Sequence, residues 1–142
     1  MGFVIINGPN LNLLGKRNIE IYGSMTFAEF LDDLRKDFEG IPIGYFQTNH
    51  EGAIIDKLHE IGFSSDGIIL NAGAYTHSSI AIRDAIEAIT TPVIEVHISD
   101  IYTREEFRRK SMLADVCHTQ IVGHGLEGYR EAINLFLAEK EY

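Results

Sequence analysis

Cysteine is nearly absent from this 142-residue chain: Cys117 stands alone, so no intrachain disulfide can form and a reducing compartment is expected. Basic residues are in short supply, 12 Lys and Arg against 21 Asp and Glu, which leaves a formal net charge of −9. A field of that sign argues against a general nucleic-acid or anionic-membrane binder, since either partner needs a basic face. A local cationic pocket for a small anion is still compatible with it. No apolar run approaches the roughly 20 residues of a membrane span, and Met1 passes straight into a strand-like run with no signal-peptide pattern. The six histidines are dispersed, with no H-E-x-x-H and no cysteine pair, so no metal site is expected. No G-x-x-x-x-G-K-[ST] occurs either. These absences describe a soluble, cytoplasmic domain.

What is present is alternation. A hydrophobic content of 45% suits one domain over residues 1–142, able to bury roughly two thirds of its unfolded surface. Strands are read at Phe3–Ile6, Ile43–Gln47, Gly67–Leu70, Thr91–Ile98 and Gln120–Val122. Helices are read at Thr26–Phe38, Gly52–Ile61, Ser78–Ile89 with Ser78 or Ser79 as cap, a charged and exposed Arg104–Leu113, and an amphipathic Leu126–Glu139. Five strands each followed by a helix imply an α/β fold, a parallel sheet with helices on both faces. The flavodoxin-like strand order 2-1-3-4-5 is the default for that count.

One stretch breaks the rhythm. From Ile5 to Tyr22 the chain leaves its first strand and forms no helix for almost twenty residues, carrying Asn7, Asn10, Asn12, Arg17 and Tyr22. Strand-to-helix connections usually run about 2–6 residues, so a long polar loop reads as a lid over a site. Other polar residues fall where such a lid would close: Asn49 and His50 after strand two, Asn71 and His77 after strand three, His97 and Ser99 at the end of strand four. In parallel α/β sheets the carboxyl ends share one edge, and ligands bind there. Singly, each Asn or His is explained as a turn former or cap. Jointly they outline a crevice.

Gly123 to Gly128 spells G-x-G-x-x-G, but no further strand and no ribose-binding acid follow it, so it is read as a tight turn. Cys117 is read as a packing residue. In Val93–Ser99 the side chains alternate, placing Glu95, His97 and Ser99 on one face and Val96 and Ile98 on the other. A carboxylate two residues before a histidine can hold the ring and favour its charged form. A satisfied core pair fits that stretch equally well; the position of His97 at the crevice favours a general acid or base. Tyr22 is a poor base at its usual pKa near 10, and lowering it by about three units takes roughly 4 kcal/mol. Arg17, always charged, is the right group to supply it. The lysines sit mostly on exposed faces, which disfavours a Schiff base.

These residues resemble a known family. Asn7-Gly8-Pro9-Asn10-Leu11-Asn12, Glu20-Ile21-Tyr22-Gly23, Asn49-His50-Glu51-Gly52, the run from Asn71 to His77, Ile94 to Ser99, and Arg104 to Arg108 together are similar to type II 3-dehydroquinate dehydratase, in order along the whole chain. The resemblance implies reversible dehydration of 3-dehydroquinate to 3-dehydroshikimate in the shikimate pathway, through an enolate, with no cofactor and no metal. It also implies a homododecamer built from trimers. By resemblance Tyr22 is the base, Arg17 sustains its phenolate, Asn10 helps hold the enolate, and His97 protonates the departing hydroxyl. Asn71, His77, Asp84, Arg108 and Ile98 with Ser99 hold the substrate, Asp84 from a neighbouring subunit. The segment Asp100-Ile101-Tyr102-Thr103 departs from the expected Asn-x-His-Ala, and Lys16 to Ile19 varies the lid. A different reading stays open, a non-catalytic flavodoxin-like module that binds a nucleotide or phosphate, as does a lyase or isomerase of another keto acid.

Overall fold

The structure is a computed structural model that describes residues 2–16 and 19–140, the side chains of residues 21 and 22 excepted. Five parallel strands, β1 (Phe3–Asn7), β2 (Ile43–Gln47), β3 (Gly67–Asn71), β4 (Val93–His97) and β5 (Thr119–Val122), form one sheet in the order β2-β1-β3-β4-β5. β3 and β4 lie inside the sheet, and every residue in both is buried, as strands covered on two faces require. Alternation then splits the core. Phe3, Ile5, Ile69, Ile94 and Val96 face α2 (Phe27–Asp37) and α5 (Glu127–Glu139), while Ile6, Ile68, Leu70 and Val93 face α3 (Glu51–Ile61) and α4 (Ile80–Ala88).

Local signals set the helix ends. Thr26 accepts from the backbone N–H of Glu29 at 3.2 Å while the Glu29 carboxylate accepts from Thr26 N–H at 3.0 Å, a reciprocal cap for α2. Ser79, not Ser78, caps α4 by accepting from Ile82 N–H at 2.9 Å. Among the described residues no helix is long and apolar enough to cross a membrane.

Two expectations are corrected. The stretch after β1 is not free of helix: Leu11–Leu13 forms a 3-10 turn and Ile19–Tyr22 a single turn, α1. Leu11 and Leu14 are buried against the α2 side of the core, which folds the chain inward, and Gly23 at φ 81° ends α1. Conversely, Arg104–Leu113 is not a helix; it holds one 3-10 turn, Glu106–Arg108, and otherwise runs as an irregular strap. It lacks a continuous apolar stripe, and other parts of the fold claim its backbone and side chains: Met112 N–H donates to Thr76 O at 2.8 Å, Arg83 Nη1 to Met112 O at 2.9 Å, and Leu113 is fully buried.

Candidate active site

The outgoing connection of β1 leads to α2 on one face, while that of β3 leads to α4 on the other. A crevice opens between two such strands at their carboxyl ends. There the two exits touch. Gly8 N–H donates to Asn71 O at 2.7 Å, and a Cβ on Gly8 would stand 2.6 Å from the Ala72 carbonyl oxygen, so no side chain fits. Asn10 follows in the left-handed region, φ 69°, which asparagine tolerates. Its N–H donates to Asn49 Oδ1 at 3.0 Å, and Tyr75 Oη donates to Asn49 O at 3.0 Å, so Asn49 braces the rim.

One pocket gathers Asn10, Asn71, His77, His97, Ile98, Ser99 and Arg108. These are six loop or strand-end positions and one strap position, brought together by topology alone. Arg17 and the side chain of Tyr22 lie outside the described residues. Asp84 is exposed on α4 and does not line this pocket. Asn7 is buried and His50 precedes α3, its backbone N–H donating to Thr48 Oγ1 at 3.1 Å; neither lines this pocket.

His97 is 5% exposed, and its Nε2 lies 2.5 Å from Oε2 of Glu95, which is completely buried. Two residues apart on one strand face, the pair follows directly from the pleat. The carboxylate only accepts, so Nε2 carries the hydrogen and Nδ1 is the nitrogen left for the pocket. Ser111, from the strap, donates to the same Oε2 at 2.7 Å and accepts from the N–H groups of Leu113 and Ala114, each at 3.1 Å. Glu95 Oε1 has no hydrogen-bond partner among the described residues. His77 is likewise oriented: Lys110 O lies 2.7 Å from its Nδ1, and a carbonyl only accepts, so Nδ1 donates.

Positive charge enters from the strap, where half-buried Arg104 and Arg108 line the pocket. Arg108 Nε donates to Glu105 Oε2 at 3.2 Å, which leaves further guanidinium donors. Glu105's own backbone N–H, followed by the Arg108 guanidinium, holds its carboxyl below the usual range. The overall charge is negative and the pocket wall is cationic, a combination suited to one small anion.

The G-x-G segment forms a turn. Gly123 and Gly125 take φ 79° and 60°, and their N–H groups donate to His97 O and Ile98 O at 3.1 and 3.0 Å. Those donors therefore brace the end of β4 and form no phosphate cradle. Cys117 packs beside the α3–α4 core, and burial, then the charges of Glu95 and Asp115, push its thiol pKa up to about 12. Arg104 and Ser111 join the candidate site only in the tertiary structure, because the strap that delivers them carries no local signal of its path.

The family model described as Dehydroquinase class II matches residues 1–137. The 3-dehydroquinate dehydratase of Bacillus pumilus (strain SAFR-032) is 52% identical over 139 residues, 96% of this chain and 95% of that protein. That of Bacillus mycoides (strain KBAB4) is 54% identical over 132 residues, 92% of this chain and 90% of the other. The crystal structure of type II dehydroquinase from Butyrivibrio crossotus DSM 2876 superposes with a TM-score of 0.92 at 47% identity, covering 96% of this chain and 97% of that one.

Proposed function

The chain belongs to the class II dehydroquinase family, and from that premise we propose that it is a hydro-lyase converting 3-dehydroquinate reversibly to 3-dehydroshikimate, on the shikimate route to chorismate and the aromatic amino acids. The observation that carries the reading is His97, held by buried Glu95 at 2.5 Å, in the wall of a pocket that also presents Asn10, Asn71, His77, Ser99 and Arg108. An acid, several neutral hydrogen-bonding groups and a cation suit a ring bearing a leaving hydroxyl, further hydroxyls and one carboxylate.

In this reading Tyr22, as phenolate, takes the proton from the carbon beside the ketone, and the electron pair moves onto the carbonyl oxygen as an enolate. As the carbonyl re-forms, the bond to the departing hydroxyl breaks and His97 protonates that oxygen, releasing water. The proton left on Tyr22 returns to His97 before the next turnover. A proton next to a ketone is too weakly acidic for an ordinary carboxylate, so both base and oxyanion need support in a water-poor site. Arg17 supports the phenolate, and Asn10 helps hold the enolate. Asn71, His77, Arg108, Ser99 and the backbone of Ile98 hold the substituents. Asp84, exposed on α4, reaches a neighbouring subunit's pocket in a homododecamer of trimers. A reducing cytoplasm suits the lone Cys117.

Incubation with 3-dehydroquinate tests the assignment: a conjugated, ultraviolet-absorbing product is expected, whereas no product together with tight nucleotide binding would replace it with the non-catalytic reading. Tyr22→Phe and Arg17→Ala should each lower turnover at least about 100-fold with much smaller changes in substrate affinity. A near-normal rate in Arg17→Ala would remove the phenolate argument. Borohydride with substrate should leave every lysine unmodified; a trapped adduct would mean an imine.

A further inference from the structure

Asn7 and Asn71 end β1 and β3 as register partners, and both are buried. Their amides meet a third buried polar group, the phenol of Tyr129, which arrives from α5 on the far side of the chain. Tyr129 has no exposed surface and packs against Phe27 with ring centroids 5.0 Å apart.

The direction of every hydrogen bond here follows from one backbone donor. Gly73 N–H points at Asn71 Oδ1 at 3.1 Å, so Nδ2 of that amide is turned to Tyr129 Oη at 3.0 Å, which must accept. The single phenolic proton then goes to Asn7 Oδ1 at 2.8 Å, and Asn7 Nδ2 faces Tyr45 Oη at 3.4 Å. Turning the Asn71 amide over would set Nδ2 against Gly73 N–H, losing that bond in a dry site, and would draw the phenolic proton away from Asn7. Burial raises the Tyr129 pKa above its ordinary value, so the hydroxyl keeps its proton. One Nδ2 proton of Asn71 is committed to Tyr129; the other is left for the pocket that Asn71 lines.

We propose that Tyr129 is a positioning residue for the substrate site: Gly73 N–H sets which way the Asn71 carboxamide faces, and the phenol oxygen anchors its Nδ2, so that the N–H edge is held toward the pocket and the group bound there must be an acceptor oxygen. The inference rests on the reading of Asn71 as a substrate contact. It extends the site to a residue that touches no substrate and lies 58 positions away in the chain. It also gives that position a specificity, since a ligand presenting only a donor there meets another donor.

Tyr129→Phe keeps the ring and removes only the hydroxyl. The expected result is a fall in kcat/KM of about 10- to 100-fold, carried mainly by KM, in protein that melts well above the assay temperature. The same change made in an Asn71→Ala background should cost no further kcat/KM, because the group being positioned is gone. A purely structural phenol would lower both backgrounds alike, and losses that multiply overturn the proposal; so does Tyr129→Phe at normal kcat/KM while Asn71→Ala is impaired. Normal kcat/KM in Asn71→Ala itself would instead overturn the substrate reading of that residue. Should Tyr129→Phe fail to fold, Asn7→Ala, which removes the acceptor of the phenolic proton, is judged by the same cycle.

Discussion

Replacing Glu95 by glutamine separates charge from position at the proposed acid. The carboxylate is completely buried, and its Oε2 accepts from His97 at 2.5 Å and from Ser111 at 2.7 Å. Glutamine has nearly the same shape, and its amide oxygen can accept from both donors, so the ring stays where it is. What disappears is the negative charge opposite the imidazolium. A hydrogen bond to a charged group contributes roughly 1.5–3 kcal/mol and a neutral one roughly 0.5–1.5 kcal/mol, a difference of about 1–2 kcal/mol. That difference is about 5- to 30-fold in rate. It falls on kcat, because His97 must carry its proton to deliver it to the leaving hydroxyl, while KM should stay within about twofold. Ultraviolet absorbance of the conjugated product, followed across substrate concentrations, measures both constants. A Glu95→Gln enzyme with the parent kcat, or a loss confined to KM, would refute the role assigned to the pair.

Gly8→Ala puts a Cβ 2.6 Å from the Ala72 carbonyl and forces the exits of β1 and β3 apart; a loss of about 1–3 kcal/mol in a urea melt is expected together with reduced kcat/KM, and an unchanged enzyme would show that the close approach is dispensable. Half-buried Cys117, its thiol pushed up to about 12, should react with iodoacetamide at pH 8 far more slowly in native than in denatured protein, and equal rates would contradict the raised thiol. Arg83 forks onto Asp115 and, chiefly through that hydrogen bond, holds its carboxyl below the usual range. A lowered carboxyl pKa stabilises the fold above the unfolded value of about 3.9 and loses that stabilisation as pH falls through the lower folded value. The urea midpoints of the parent and Asp115→Asn should therefore differ by a constant amount from pH 5 to 8 and converge in stronger acid; divergence on acidification would invert the sign. Leu58→Ala, at a site with no exposed surface, should cost about 2–5 kcal/mol in the same assay.

The parallel sheet and the two-sided placement of its helices were legible from alternation, because side-chain direction is local covalent geometry: period two puts Glu95 beside His97, and period 3.6 puts Phe27, Phe30, Leu31 and Leu34 on one stripe; the strand order followed only as the default for five such units. Parallel strands share an end, so Asn10, Asn71, His77, His97 and Ser99 could be assigned to one crevice before any distance was known. The strap from Arg104 to Leu113 was not legible. Its path is set by Thr76 O, Lys110 O with His77, and Ser111 with Glu95, partners that meet it only after the sheet has closed. Tyr129 was hidden for the same reason, an amphipathic helix residue in sequence and the buried anchor of Asn71 in the fold. Composition and period decide which faces are buried; which polar atoms a buried face must satisfy is decided by residues distant in the chain, and only the tertiary structure brings those together.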